Sequence, residues 1–328
     1  MKFTDSPALQ NEWFPVAESA DVAPGPLKVT LLGRDVVLYR SGESLVAAPD
    51  RCPHREAPLS IGRVEDDALV CAYHGWSFAD EGTCVGVPSS GPGAKIAPGA
   101  HLPCLSVREE YGLVWLALEE PTGGLPVIPQ EQDATFRRIN TGVEVWRTSA
   151  TRMVDNFLDI SHFPWVHTGT FGGGQETRVE QIDLEELDNG WFGYAYEVDA
   201  TNPDEAAATT GSDEEEVHRW MSTGFVLPLM VRSTIRYEDG LEHILLLCST
   251  PIDDETSYFT FVVWRNDDFS VDAEEVITFD RAIGAEDKAM LEQVPGSLPL
   301  DRTALVSVQS DKPSVEWRRR FHALVTGD

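Results

Sequence analysis

Two short cysteine–histidine units constrain this chain more than anything else in it: Cys52-Pro53-His54, then 16 residues, then Cys71-Ala72-Tyr73-His74. A fold that uses them must bring two loops face to face, each loop carrying one thiol and one imidazole. Two chemistries take such a donor set. A zinc ion accepts two thiolates and two imidazoles tetrahedrally. A [2Fe–2S] cluster of mixed ligation takes two thiolates on one iron and two imidazoles on the other, so each loop supplies one ligand to each metal. Disulfides are not expected: the chain has five cysteines, an odd number, and its first residues show neither a basic start nor the apolar stretch of a signal peptide. Cys84, Cys104 and Cys248 lack such spacing and read as small buried or half-buried residues.

The surroundings of the motif are β-rich. LKVTLL, DVVLYR and SLVAAP within residues 27–49 read as short strands, and 104–118 as a hairpin. A Pro/Gly-punctuated stretch follows, suited to a linker. The expected organisation is therefore a first domain over 1–120, a linker over 121–132 and a second domain over 133–328. The second part has a helical stretch around 151–165, strands at 191–198, 224–237, 243–250 and 258–264, and a long helix over 272–294. The fold class is thus α+β.

The flanks separate the two metal chemistries. Cys-Pro-His-Arg with Ala57-Pro58-Leu59-Ser60, and Cys-Ala-Tyr-His-Gly-Trp, resemble the Rieske loops of ring-hydroxylating oxygenases. Respiratory Rieske proteins carry an extra cysteine in each loop; Ala57 and Tyr73 stand nearby here, which matches the oxygenase branch. Cys52, His54, Cys71 and His74 are the expected cluster ligands, with Gly62 and Gly75 letting backbone N–H groups approach the sulfides.

A second metal is suggested by residues 155–167. On a helix over 152–163, Asp155, Asp159 and His162 share one face beside Leu158 and Phe163. Such polar groups are costly to bury unpartnered, and a metal satisfies them. Pro164 is expected to break that helix and let His167 return to the same point. Two histidines and a carboxylate on one face are the ligands of non-haem Fe(II) oxygenases. The third ligand must come from afar. On the helix over 272–294, Val276, Ile283, Met290, Leu291 and Val294 form an apolar face that also carries Asp280 and Asp287, and spacing does not choose between them. The residues Asn156, Asp159, His162 and His167 resemble, position by position, the Asn-x-x-Asp-x-x-His-x4-His motif of Rieske non-haem iron oxygenases. Glu286-Asp287 with Leu291-Glu292 resembles that family's carboxylate segment and favours Asp287 over Asp280 or Glu286.

The resemblance spans nearly the whole chain and is nearest to the vanillate and dicamba O-demethylase-like α-subunits. It implies a β-sandwich Rieske domain followed by a catalytic domain with a twisted antiparallel sheet covered by helices, in a homotrimer. It implies a terminal oxygenase that uses O₂ and electrons from a flavin-containing NAD(P)H reductase, a ferredoxin or both. Such an enzyme hydroxylates or oxidatively demethylates an apolar, aromatic or polycyclic small molecule at mononuclear Fe(II) held by His162, His167 and Asp287. It also implies that Asp159, supported by Asn156, bridges His74 of one subunit to His162 of the next. Two alternatives are a cis-dihydroxylating dioxygenase and a non-enzymatic Rieske electron carrier, which leaves the second half of the chain unexplained. Phe157, Phe163, Trp165, Phe171, Phe225, Leu227 and Met230 are the pocket candidates, and the glycines at 169 and 172–174 suit a mobile entrance loop or an irregular connector.

Composition narrows the partners. A net charge of −30 disfavours nucleic acid and anionic membrane surfaces. No apolar run is long enough to span a bilayer, so a cytoplasmic protein is expected. Arg318-Arg319-Arg320 is the one strong basic run, suited to a helix end or a docking patch.

Overall fold

Ten short strands, among the described residues, build the first of two structural units, Phe3–Gly124. They form three antiparallel sheets. One joins β1 (Phe14–Glu18), β10 (Leu113–Ala117) and β9 (Ser106–Glu110); a second joins β2 (Leu27–Leu31), β3 (Arg34–Ser41) and β4 (Ser44–Pro49). The third runs β5 (Arg63–Glu65), β6 (Ala68–Val70), β7 (Ser77–Phe78) and β8 (Cys84–Gly86). Val37, Tyr39, Leu69 and Phe78 pack into one core with Cys52 and Cys71, so the two loops spring from well-anchored strand ends. The computed structural model describes residues 2–301 and 304–327.

The second unit, Leu125–Asp328, is organised by one eight-stranded antiparallel sheet. Its order is β11 (Arg137–Asn140), β18 (Ser257–Arg265), β17 (Glu242–Pro251), β16 (Met230–Arg236), β15 (Glu216–Val226), β14 (Phe192–Thr201) and β13 (Glu185–Glu186), with β12 (Glu144–Trp146) also paired to β18. The stretch 224–237, expected as one strand, is the end of β15 and all of β16. Leu227 and Pro228 lie in the turn between them, since proline cannot donate to a central ladder. Most of β15 lies in 216–223, outside the expected strands, because its acidic start hides the alternation of buried Val217, Arg219, Met221 and Thr223.

Helices at Ala150–Phe157 and Ala273–Leu291 pack on this sheet through Met153, Val276 and Ile277 against Trp146, Phe259 and Phe261. The long helix starts at Asp272, whose side chain accepts the Glu274 N–H at 2.8 Å. It ends at Leu291 rather than 294, and Met290, expected on the apolar face, is 49% exposed. The helix expected through 163 stops at Phe157. A turn follows, and Pro164 sits in the first turn of a new short helix, Phe163–Val166, where its missing N–H costs nothing. Pro164 therefore opens a helix instead of breaking one. The Tyr194 hydroxyl donates to the Leu158 carbonyl at 2.9 Å and pins the turn between the two helices.

Among the described residues no helix is long and apolar enough to cross a membrane. The basic run offers no free patch. Arg318 is buried beside Asp155, Arg319 and Arg320 both bind Glu316, and Arg320 also lies over the Phe192 ring. Cys84 and Cys248 are buried, but Cys104 is exposed.

Candidate functional site

The two cysteine–histidine loops are built alike. The Cys52 N–H donates to the Ala57 carbonyl at 2.9 Å, and the Cys71 N–H to the Trp76 carbonyl at 2.8 Å. Four residues after each cysteine the chain turns with positive φ, at Glu56 (63°) and Gly75 (70°), and those N–H groups return to the cysteine carbonyls. The result is two matching turns. Cys52 and Cys71 lie buried within hydrogen-bonding reach of each other, and the His54 and His74 rings stand 4.4 Å apart. His54 stacks on Trp76 at 4.6 Å and 5°, while its Nδ1 is cut off from solvent without a hydrogen-bond partner. An orphaned imidazole nitrogen beside two converging thiols fits a cluster with two sulfur and two nitrogen ligands. His74 is exposed.

The N–H groups of Gly62 and Gly75 are already donated, to the Leu59 and Cys71 carbonyls. Any N–H that approaches a cluster sulfide at these loops therefore comes from a neighbouring residue and not from Gly62 or Gly75. Gly62 is needed for a different reason: a Cβ there would meet the Val70 carbonyl oxygen at 2.3 Å.

In the second unit, His162, His167 and Asp287 converge. The two Nε2 atoms are 3.1 Å apart, and each is 3.4 Å from Asp287 Oδ1. A triangle with sides of 3.1, 3.4 and 3.4 Å has a circumradius of about 1.9 Å, so all three donors could bind one ion at the usual bond length of roughly 2.1 Å. The other ring nitrogens are both occupied by acceptors. His162 Nδ1 is 3.2 Å from Asp159 Oδ2, and His167 Nδ1 is 3.0 Å from Glu286 Oε2. With the protons on Nδ1, two lone pairs and a carboxylate oxygen point at one spot, which a cation relieves. Donor set and spacing fit a non-haem iron with open positions.

Each donor is held by a further residue. Asp159 sits in a tight turn and accepts from the Ser161 N–H and hydroxyl at 2.9 and 2.7 Å and from the His162 N–H at 3.1 Å. Burial works against its charge, yet the contacts from His162 and Ser161 outweigh that and hold its carboxyl below the usual range. Burial also pulls His162 down, but Asp159 and Asp287 outweigh it and hold the imidazole up at about 9. Asn156 Nδ2 donates to Asp287 Oδ1 at 2.9 Å. Asn156 thus supports Asp287 through its side chain, and it meets Asp159, the partner the resemblance implied, through the backbone, where the Asp159 N–H donates to the Asn156 carbonyl at 3.0 Å. Asp155 lies away from the donors, its carboxyl pushed up to about 6 by burial against the pull of Arg318 and Arg152.

Glu286, weighed as a ligand, instead binds three donors: His167, the Thr170 hydroxyl at 2.7 Å and the Gly169 N–H at 3.1 Å. A Cβ at Gly169 would meet its Oε1 at 2.8 Å, and one at Gly172 would meet the Phe163 carbonyl oxygen at 2.1 Å. Of the two expected readings the irregular connector holds: the chain from 167 to 184 has turns but no helix or strand, and Gly169 and Gly172 are close-packing positions within it. Thr170 and Glu286 were missed as supporting residues; the Glu-Asp pair was the only local signal.

A cavity of about 130 Å³ opens on the three donors. Phe157, Phe163 and Phe171 line it, with Phe259, Phe261 and Phe279 from the sheet and long helix. Trp165 is 71% exposed, and Phe225, Leu227 and Met230 lie outside the lining, so four of the expected pocket residues are replaced.

The comparisons agree with this architecture. Residues 12–106 match the Rieske [2Fe-2S] domain, and residues 146–327 match the vanillate O-demethylase oxygenase C-terminal domain. The chain is 30% identical over 326 residues to a methylxanthine N1-demethylase of Pseudomonas putida, covering 96% of this chain and 89% of that one. It is 27% identical to the oxygenase component of a chloroacetanilide N-alkylformylase of Rhizorhabdus wittichii, over 88% of this chain and 87% of the other. The solved structure of the Pseudomonas putida N1-demethylase with caffeine superposes with a TM-score of 0.80 at 27% identity, covering 97% and 95% of the two chains. Fold and site define a terminal oxygenase that combines a Rieske [2Fe–2S] cluster with a mononuclear iron. The chain belongs to the Rieske non-haem iron oxygenase α-subunits, in the branch with the vanillate O-demethylase catalytic domain. Members of this family draw electrons from a reductase or ferredoxin and consume O₂, which sets aside the electron-carrier alternative.

Proposed function

We propose that this oxygenase removes a methyl or small alkyl group from nitrogen or oxygen of a small, flat, largely apolar molecule. The observation that carries this is the convergence of His162, His167 and Asp287 on a cavity lined largely by aromatic and aliphatic side chains. The N-demethylase and N-alkylformylase relatives support it, and the cis-dihydroxylating alternative draws less support from them. In this reading Cys52, His54, Cys71 and His74 hold the cluster, and His162, His167 and Asp287 hold the iron. When bound, these groups supply stored electrons and activated oxygen at a C–H bond. Substrate R–CH₃, O₂, two electrons and two protons give R–CH₂OH and water; on nitrogen or oxygen that carbinol releases formaldehyde and leaves an N–H or O–H.

The chain's own residues set the conditions for that step. The phenylalanines hold the methyl-bearing ring and exclude water. Asp159 and Glu286 keep both imidazole protons on Nδ1, leaving Nε2 free to bind. His74 is exposed and Asp159 caps His162, so we place the two at a junction between copies in a trimer, with Asp159 accepting from His74 of a second copy. A cytoplasmic location accords with the need for a reduced-nicotinamide-dependent donor.

Metal analysis tests the reading. Cluster plus mononuclear iron predicts about three irons per two acid-labile sulfides. Incubation with reductase, reduced nicotinamide and a panel of N-methyl and O-methyl aromatics should release formaldehyde in step with O₂ uptake. An iron-to-sulfide ratio near one, or O₂ uptake with no formaldehyde from any panel member, overturns it.

A further inference from the structure

The cavity has a polar pole that neither packing nor iron binding uses. Asp280 lines it two helical turns before Asp287, with Ile283 and Gly284 between them. Asp280 Oδ2 is cut off from solvent and has no hydrogen-bond partner. A carboxylate oxygen in that state is costly, and a fold that keeps one needs a reason.

A structural counter-ion role is the first reason to test. Arg265 and Arg219 are the cations that act on Asp280. Arg265, however, is already paired with Asp267 and donates to the Thr209 and Ala208 carbonyls. Arg219 lines the same cavity, lies over the Phe171 and Tyr237 rings at 5.3 and 5.7 Å, and has its own buried Nε without a partner. The pole therefore offers an acceptor on Asp280 and a donor on Arg219, with no hydrogen bond between them, on a wall otherwise aromatic and aliphatic apart from Thr209, Thr223 and Ser233, whose hydroxyls are already hydrogen-bonded. A carboxylate-bearing ligand would face Asp280, and a cationic one would face two arginines. A neutral ligand carrying both an N–H and a carbonyl satisfies both groups.

Building on the oxygenase reading, we propose that Asp280 determines specificity by accepting a hydrogen bond from the N–H of a neutral, planar amide- or imide-type heterocycle. Arg219 donates to a carbonyl of the same ring. The methyl group to be oxidised then lies at the other end of the ring, toward His162 and His167.

Matched ligand pairs test this by calorimetric titration of the iron-loaded protein. The pairs are 2-pyridone with N-methyl-2-pyridone, and theobromine with caffeine, each differing by one N–H replaced by N–CH₃; benzoate is the anionic control. A hydrogen bond to a charged acceptor predicts that the N–H member binds at least about tenfold more tightly. Asp280→Leu should level each pair, and Asp280→Asn should reduce the preference without abolishing it. A steric penalty of the methyl group alone would survive in both variants. Equal binding within the wild-type pairs, benzoate binding best, no pair binding, or an unchanged preference in the variants overturns the proposal. Iron and sulfide are counted on every sample. A normal ratio with no preference refutes only the role of Asp280, whereas a wild-type ratio near one refutes the oxygenase reading beneath it. Asp280→Asn, close in shape to the native residue, keeps the test open should Asp280→Leu fail to fold.

Discussion

Asn156 and Asp287 stand 131 residues apart and meet through one hydrogen bond, Nδ2 to Oδ1 at 2.9 Å. The same Oδ1 lies 3.4 Å from both histidine Nε2 atoms. Asn156 therefore fixes which carboxylate oxygen faces the imidazoles. Asn156→Ala should weaken iron retention by roughly 10- to 100-fold, the usual cost of losing a residue that orients a ligand. The cluster spectrum should not change, because the cysteine–histidine loops belong to the other unit. Chelator titration followed by iron-to-sulfide analysis measures this, and unaltered iron retention would contradict it.

Glu286 holds His167 Nδ1, the Thr170 hydroxyl and the Gly169 N–H together. Glu286→Ala strands three donors at once. It should cost about 1–3 kcal/mol of stability, the range for a buried donor left unpaired, and lower iron affinity as well. Glu286→Gln keeps an acceptor and should lie between that variant and the wild type. Gly169→Ala should act like a mild Glu286 variant, since its Cβ would displace Oε1. Thermal unfolding and iron content, read together, check the series; a stable, fully loaded Glu286→Ala would show that His167 needs no such partner.

How much of this was legible beforehand depended on the range of the interactions. The cysteine–histidine loops and the segment from Asn156 to His167 carry their chemistry within a few residues, and the structure brings their donors together. The helix boundary was misread because Pro164 signals a break from one side and a start from the other; the chain turns earlier, where the Asp159 carboxylate takes the Ser161 and His162 N–H groups and Tyr194 holds the Leu158 carbonyl. Glu286 was weighed as a ligand because adjacency to Asp287 says nothing about where a carboxylate points. Its partners lie over a hundred residues away. The free acceptor on Asp280 was invisible for the same reason: an unpaired atom is a property of everything around it.

Gly284 lines the cavity on the same helix, one turn beyond Asp280. Glycine in mid-helix costs about 0.5–1 kcal/mol relative to alanine. A Cβ at this position would meet only Phe259, at an ordinary 3.7 Å. The glycine is thus not needed for packing, and it leaves room in the cavity. Gly284→Ala should raise thermal stability slightly and leave ligand binding nearly intact. Gly284→Phe should fold, retain iron and lose binding of bicyclic ligands before monocyclic ones. Calorimetric titration with theobromine and 2-pyridone separates the two effects; unchanged binding of both ligands in Gly284→Phe would place the ring outside the ligand's path.

Asp280 should also leave a mark on the pH dependence of stability. Burial pushes its carboxyl up to about 6, against the pull of Arg265 and Arg219. The folded state then holds the proton more tightly than the unfolded chain, where an aspartate titrates near about 3.9. Stability must fall as pH rises from about 3.9 to about 6, and the full cost of the buried charge is present above that range. Asparagine carries no such cost. Asp280→Asn should therefore be more stable than the wild type at pH 7.5, and its advantage should shrink by about 1 kcal/mol on going to pH 5. Saturation with an N–H ligand should narrow the gap at pH 7.5, because the ligand supplies the partner that Asp280 lacks. Thermal unfolding at the two pH values, with and without theobromine, gives all four quantities. A variant destabilised by the same amount at both pH values would mean that Asp280 serves the arginines and not a ligand.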